Sequence, residues 1–444
     1  MKIYNTLTRK KEDLIVPDGA VKIYVCGSTV YNRIHLGNAR PVVVFDAFRR
    51  YLLHKGMEVD YFTNFTDVDD KIIALAVEEG VDASVVSERF IAEVMTDAEG
   101  LNCLPATLYP KVTNEMPGII EMIGKIIEKG YAYEAGGTVY FDTAAKADYG
   151  KLSGRNIDDM EAGARVEVDM RKKKPSDFVL WKPAKPGEPF WESPWGNGRP
   201  GWHIECSQMI KKYAGDTLDI HAGGSDLIFP HHENEIAQSE AANGVPLARY
   251  WMHNGMINTD NEKMSKSEGN FFMVRELSEA YGYDALRFYI LSFHYRSPFN
   301  FAPEHVAEAK AAVNRLYNCV NMLENREETD AEHQHRERFY AALDDDFNTA
   351  EAIGVMFAYV KYANTNPQKA SSGILLEMCG VLGLERKQNA NISEDEINVV
   401  LAERAEARKN KEWKRSDELR DMLKAKGVAV KDTADGQKWS YETD

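Results

Sequence analysis

The strongest constraint on the fold is a strand–turn–helix–strand pattern near the start of the chain. VKIYVCG, Val21 to Gly27, is a short apolar run with β-branched residues that ends in glycine. After the loop STVYNRIHLGNAR, the segment PVVVFDAFRRYLLHKG has apolar residues at helical spacing and stops at Gly56, a C-cap residue. MEVDYFTNFTDVDD restarts a strand, and KIIALAVEEG reads as another helix. Strands joined through helices pair in parallel, so the pattern predicts an α/β fold with a parallel sheet. It resumes much later in TLDIHAGG, Thr217 to Gly224. Ligands of such folds bind outside the carboxyl ends of the strands. Cys26, His35, Thr66 and Asp67 all fall at or just past such ends.

Between the two halves, residues 117–199 read differently. Short strand signals there alternate with turns, and Pro, Gly and Trp are abundant, as expected of an insertion into the first domain. The expected organisation is 1–116 and 200–252 as two halves of one α/β domain, with 117–199 inserted. A region 253–301 carries NEKMSKSEGN, a helical bundle spans 302–396, and a small domain spans 397–444. The chain of 444 residues has room for all of these. Its net charge of -16 argues against indiscriminate attachment to nucleic acid or acidic lipid, while leaving room for a specific partner. Segment 401–427 runs against that sign, with nine Lys/Arg and six Asp/Glu. No apolar run approaches a membrane span, the N-terminus lacks a secretory block, and five scattered cysteines do not form a disulfide scaffold. A cytoplasmic protein is expected.

GWHIECSQMIKKYAGDTLDIHAGGSDLIFPHHENE, Gly201 to Glu235, gathers four of the eleven histidines and one cysteine. His231 and Glu235 are four apart and share a helix face. If the sheet halves meet, Cys26 and Cys206 can converge on that face, and two thiolates, an imidazole and a carboxylate suit zinc. Spacing alone does not separate His231 from His232, or Glu235 from Glu233. Both cysteines could equally be ordinary buried residues, and His231 a helix cap.

Three further elements bear on chemistry. In AGGSD, Ala222 to Asp226, the glycines allow close backbone approach, and Asp226 can accept from ribose hydroxyls or an ammonium; a plain turn is the bland reading. In IHLGNAR, an imidazole and Gly37 at a helix start form an anion seat. In NEKMSKSEGN, Lys263 and Lys266 could neutralise a breaking triphosphate, or be a solvated loop. No P-loop of the GxxxxGK[ST] type is present.

Together these blocks resemble the cysteinyl-tRNA synthetases, class I aminoacyl-tRNA synthetases. The likeness rests on YVCGSTVYNRIHLGNAR, NFTDVDDKI, GWHIECS, HAGGSDLIFPHHENEIAQSE, WMHNGMI, EKMSKSEGN, YGYDALRFYILSFHYRSP and KRSDELRDMLKAKG, in that order over nearly the whole chain. It implies a Rossmann-like catalytic domain with a connective insertion, a helical tRNA-binding domain and a small anticodon-binding domain. It implies one zinc (Zn2+) per chain on Cys26, Cys206, His231 and Glu235, which holds the thiolate of the substrate. Thr66, Trp202, His203, His221 and His232 match the cysteine pocket. His35, Gly37, Asn38, Asp226, Lys263 and Lys266 match ATP and adenylate contacts, with Mg2+ accompanying ATP. Asn38 stands where the signature often has a second histidine. It can donate a hydrogen bond but carries no proton charge, so the ATP work falls on His35 and the lysine loop.

The implied partners are L-cysteine, ATP and tRNA(Cys), with no DNA and no membrane, and a monomer is expected. Arg404, Arg408, Lys409, Lys411, Lys414, Arg415 and Lys424 are candidate phosphate contacts, and Trp439 a candidate stacking surface. Trp413 could stack too, but a place in the small domain's core is favoured. The segment 117–199 is too short for a hydrolytic second sieve. Two other readings are a related ligase joining activated cysteine to an amino sugar, and a non-enzymatic zinc protein that binds RNA. The C-terminal blocks argue against the first, HLGN and KMSKS against the second.

Overall fold

A computed structural model describes residues 1–16, 19–155, 170–259, 262–263, 271–385, 394–426, 428–433 and 436–441. Its centre is a parallel sheet of four strands: β1 (Val21–Val25), β2 (Val59–Thr63), β3 (Leu218–Gly224) and β4 (Ala248–Asn254), in the order β4-β3-β1-β2. Ile23 lies opposite Ile220 and Val25 opposite Ala222, so the two sequence halves meet in the middle of the sheet.

Both faces are covered, which is why the strands read as continuous apolar runs. Ile23 and Val25 face one core with Phe45 and Phe48 of helix α1 (Leu36–His54). Tyr24 and Phe62 face a second core with Met209 of helix α2 (Trp202–Tyr213) and Ala237 of helix α3 (Glu233–Asn243). From β1 the chain crosses to β2 on one side, while β3 pairs with β1 on the other. The reversal opens a crevice at the carboxyl ends of β1 and β3.

Between β2 and α2 stand helix Met116–Glu128 and a four-stranded antiparallel sheet of Ala132–Ala135, Thr138–Phe141, Phe178–Pro183 and Gly198–Pro200. The sheet delivers the chain straight into α2 through Gly201, where a Cβ would meet the backbone oxygen of Val179. A hairpin of Lys2–Asn5 and Lys10–Asp13, absent from the sequence expectations, packs beside β4 through Thr6 N–H to Trp251 O. After β4 a small sheet joins Ile257–Thr259 to Glu262–Lys263 and Phe299–Asn300. Helices Pro303–Met322, Asp330–Asp344, Thr349–Thr365 and Ser372–Leu382 form the bundle. Helix Asp330–Asp344 buries Phe339 and Leu343.

The C-terminal unit packs helices Glu394–Lys409 and Trp413–Ala425 on a hairpin of Val428–Thr433 and Gly436–Tyr441. Two expectations are corrected here. Trp413 is 58% exposed, not core, because it opens its helix one turn before the buried positions Ser416, Leu419 and Leu423 begin. Arg404 is 1% exposed and not a free phosphate contact: its guanidinium donates to Asp432 Oδ1 at 2.8 Å and to Gln437, tying helix to hairpin. Trp439 packs partly buried against Ile397, Leu423 and Val428. Arg408 pairs with Asp432, and Arg415 with Glu403 and Glu418, at the surface. No helix among the described residues is long and apolar enough to cross a membrane.

Candidate active site

The carboxyl end of β1 places Cys26, α2 brings Cys206 just past its first turn, the segment leading into α3 brings His231, and the first turn of α3 brings Glu235. Their ligand atoms lie within 4.8 Å of one another. Cys26 Sγ is 3.8 Å from Cys206 Sγ and 3.5 Å from Glu235 Oε1, and His231 Nε2 is 2.9 Å from that oxygen. Around a tetrahedral ion with bonds of about 2.3 Å to sulfur and 2.0 Å to oxygen, two sulfurs sit about 3.8 Å apart and a sulfur–oxygen pair about 3.5 Å. The observed separations fit that geometry; the nitrogen–oxygen pair is tighter than it requires.

A second set, Cys26, His221, His232 and Glu235, overlaps the first. His221 Nε2 lies 2.8 Å from Glu235 Oε2, the carboxylate's other oxygen, and His232 Nε2 lies 3.3 Å from Cys26 Sγ. These are the positions of residues that orient ligands and fix their tautomers. The first set holds both thiols and is the softer of the two, which favours it for zinc.

The electrostatics suit a cation. Burial alone would raise Glu235, but His221 and His231 outweigh it and hold the carboxyl well below its usual range. Burial would lower His231, yet Glu235 and Cys206 bring it up to about 10. The Cys26 S–H donates to Cys206 sulfur and holds that thiol down to about 6, against burial; Cys26 itself is pushed up by burial. Negative charge thus converges at one point, balanced by protons that a divalent cation displaces on binding.

The predicted pocket residues surround this cluster. Trp202, 44% exposed, stacks on His231 with ring centres 4.1 Å apart. His203 Nδ1 meets His231 Nδ1 at 2.9 Å, and burial lowers His203 to about 3. His221 and His232 are fully buried. Thr66, at the exit of β2, donates to Glu205 Oε2 at 3.3 Å. Burial pushes the Glu205 carboxyl well above its usual value.

Three residues of this site escaped the sequence reading. His253 sits at the carboxyl end of β4; its Nε2 meets His232 Nδ1 at 2.8 Å, and its Nδ1 meets Thr6 Oγ1 at 2.8 Å. The rule that strand ends carry function would have found it in WMHNG. Asn64 accepts from Gly27 N–H at 2.9 Å and lies 3.8 Å from Cys206 Sγ. Glu205 adjoins Cys206 in sequence, but its pairing with Thr66 crosses from α2 to the exit of β2.

Beside the cluster opens a cleft of about 1210 Å³, lined by Cys26, His35, Gly37, Asn38, Gly224, Asp226 and Asn254 to Ile257, among others. His35 is the N-cap of α1, its Nδ1 accepting from Asn38 N–H at 3.3 Å. A neutral imidazole that accepts at Nδ1 carries its proton on Nε2, so it presents a donor. Gly37 makes this cap possible: a Cβ there would stand 2.9 Å from the His35 ring. Asp226 is exposed on the turn after β3. Lys263 lies on strand Glu262–Lys263, and Lys266 lies outside the described residues.

A parallel sheet with ligands at its switch point, a helix capped by HLGN and an inserted antiparallel sheet make up the catalytic architecture of class I tRNA synthetases. Residues 14–311 match the family described as tRNA synthetases class I (C) catalytic domain. Residues 338–385 match the DALR domain, and 393–439 the cysteinyl-tRNA ligase anticodon binding domain. The chain belongs to the cysteinyl-tRNA ligase family. It is 52% identical to the cysteine–tRNA ligase of Lachnoclostridium phytofermentans and 49% to that of Clostridioides difficile, each alignment covering 99% of both chains. In fold it is similar to Mycobacterium tuberculosis methionyl-tRNA synthetase in complex with methionyl-adenylate (TM-score 0.60, 16% identity, 82% of this chain and 90% of that one). It is also similar to the synthetase in the Agrobacterium radiobacter K84 agnB2 LeuRS-tRNA-LeuAMS ternary complex (TM-score 0.57, 11% identity, 84% of each).

Proposed function

We propose that this protein activates L-cysteine with ATP and transfers it to the 3′-terminal adenosine of tRNA(Cys), acting as a cysteine–tRNA ligase. The observation that carries the reading is the convergence of two thiols, an imidazole and a carboxylate beside a nucleotide-sized cleft, in a chain of this family. Cys26, Cys206, His231 and Glu235 would hold one zinc ion. Bound zinc accepts a thiolate and lowers the pKa of the thiol that supplies it, whereas a hydroxyl is a poor partner at neutral pH. Cysteine and serine differ by one atom, and a shape-based pocket separates such analogues by only a few kcal/mol. The ligand set adds chemistry to shape.

The chain's other residues position and neutralise. Thr66, Trp202, His203, His221 and His232 enclose the amino acid. The cysteine carboxylate, already ionised, attacks the α-phosphorus; the bond to the β-phosphate oxygen breaks, and pyrophosphate leaves. No general base is needed. His35 Nε2–H, Lys263 and Lys266 neutralise the departing charge, with Mg2+ accompanying ATP. In the second step the terminal adenosine hydroxyl attacks the activated carbonyl, its proton passes to the adenylate phosphate, and AMP leaves. Lys409, Lys411, Lys414 and Lys424 remain candidate phosphate contacts.

The test is charging of purified tRNA with cysteine, with serine and with no amino acid, alongside metal analysis of the same sample. Cysteine-specific charging with about one zinc per chain is expected. Adenylate formation without charging would favour the amino-sugar ligase reading. Absence of cysteine-dependent pyrophosphate exchange would remove the enzymatic reading altogether.

A further inference from the structure

Arg40, two residues past Asn38 in the first turns of α1, is completely buried. Its Nη1 donates to the carbonyls of Gly255 at 2.7 Å and Met256 at 3.1 Å. Its Nη2 donates to those of Ser297 at 2.6 Å and His294 at 3.2 Å. The guanidinium lies 4.5 Å from the centre of the Phe299 ring. These partners are four carbonyl oxygens and a ring face, with no carboxylate among the described residues. Burial pulls its pKa down to about 9. A buried charge of this kind is a poor route to stability, since well-packed apolar residues of similar volume usually do as well. Its value is directional: a planar fork fixes several backbone groups at once.

The groups it fixes have a place in the reaction. Gly255 and Met256 follow β4 and line the same cleft as His35, Gly37 and Asn38. They lead directly into Ile257–Thr259, which pairs with Glu262–Lys263, the strand that opens the KMSKS segment. Gly255 is closely packed: its N–H donates to Tyr295 O, and a Cβ there would stand 2.6 Å from the backbone of Ser297. Arg40 therefore spans from the HLGN turn to the root of the lysine hairpin.

We infer that Arg40 is a positioning residue for the activation step: it sets the spacing between the HLGN turn and the base of the KMSKS hairpin, and so the fit of ATP. The inference rests on the assignment of both elements to ATP made above.

The test is cysteine-dependent ATP–pyrophosphate exchange by the full-length protein with Arg40→Gln, Arg40→Lys and Phe299→Leu, with zinc content and thermal midpoint measured on each. Misplacement near 1 Å can cost about 10²-fold in rate. Arg40→Gln should raise KM for ATP by roughly tenfold or more and lower kcat. KM for cysteine and zinc content should stay within about twofold of the unsubstituted protein on that same scale. Arg40→Lys, which keeps the charge and part of the donor set, should recover part of the loss. If Arg40→Gln fails to fold, Phe299→Leu decides, because it leaves Arg40 its carbonyls but removes the ring beneath it; a smaller ATP-side shift is expected. Parallel changes in both KM values, or no change, would overturn the role. Loss of exchange in the unsubstituted protein would instead refute the activity on which it rests.

Discussion

Replacing Arg287 with methionine should release the helical bundle from the catalytic core, at a cost that can be worked out bond by bond. The Arg287 guanidinium is buried and donates to Asp46 Oδ2 at 2.6 Å, Leu382 O at 2.7 Å, Leu101 O at 2.9 Å and Asn102 O at 3.3 Å. Asp46 projects from α1, Leu382 ends helix Ser372–Leu382, and Leu101 follows helix Ala83–Gly100. Methionine fills much of the same volume, so the polar terms dominate. The Leu101 and Leu382 carbonyls lose this donor at a cost of about 1–3 kcal/mol each, whereas Asn102 O keeps Arg50 Nη2 at 2.7 Å. Asp46 keeps Arg50 Nε at 3.0 Å and Leu104 N–H at 2.7 Å. Its penalty therefore falls below the roughly 3–5 kcal/mol of a fully stripped buried charge. A total near 4 kcal/mol is reasonable, allowing for relaxation.

A chain of several packed units has no single well-defined unfolding free energy, so the measurement must be local. Native-state hydrogen exchange reads the opening of Ser372–Leu382 directly. Protection of its amides should fall by roughly 10²–10³-fold while β1 and β3 keep theirs. Adding Asp46→Asn should cost less in the Arg287→Met background than alone, with a coupling of about 1–3 kcal/mol. Unchanged protection in that helix, or an equal loss in the sheet, would refute the assignment of Arg287 as the tie between these elements.

If the cluster holds zinc as proposed, chelation should raise the apparent KM for cysteine far more than that for ATP in pyrophosphate exchange; a defect confined to ATP would contradict zinc as the selecting element. Gly27→Ala should abolish zinc retention, because a Cβ at that position would stand 1.7 Å from the Asn64 carbonyl oxygen, next to Cys26; normal metal content in the purified variant would show the backbone can yield. Burial would raise Asp70, but Lys182 and Arg199 of the inserted sheet outweigh it and hold the carboxyl down to about 2. A depressed carboxyl contributes stability above its unfolded value, lost as pH falls toward about 2. Asp70 is largely exposed, so the effect is small. Its own titration followed by NMR is the check, and a midpoint near that of a free aspartate would contradict the pairing.

The parallel sheet was readable because strands buried on both faces must be apolar throughout and must be separated by helices. The convergence of the ligand atoms was named by the resemblance, and by spacing only on the condition that the sheet halves meet. Cys26 and Cys206 sit far apart in the chain, and only the pairing of Ile23 with Ile220 and Val25 with Ala222 brings their strand ends and helices together. Histidine spacing could not choose between His231 and His232, since one turn of irregular backbone precedes α3. His253 was missed because a lone histidine at a strand end carries no spacing signal. In the C-terminal unit, local charge suggested solvent-facing cations, but Arg404 answers to Asp432 and Gln437 on a hairpin later in the chain. Which face of a short helix meets its partner is a tertiary fact, and Trp413 and Trp439 exchanged roles on that account.

The cluster also shows why its ligands have so little freedom. Glu235 offers Oε1 toward the thiols because His221 occupies Oε2. His231 is turned by His203 on its far nitrogen and by the Trp202 ring above it. Cys26 meets His232, His232 meets His253, and His253 ends on Thr6 of the N-terminal hairpin. A short peripheral element is thereby wired to the floor of the site through three hydrogen-bonded steps. Such chains fix ring orientation and tautomer at each step, so a metal meets donors already aimed and does not have to order them. Preorganisation of this kind lowers the entropy lost on binding and penalises any ion or substrate atom that needs a different geometry. With zinc held there as proposed, selection by sulfur would be a property of the whole hydrogen-bonded shell and not of the four ligand atoms alone.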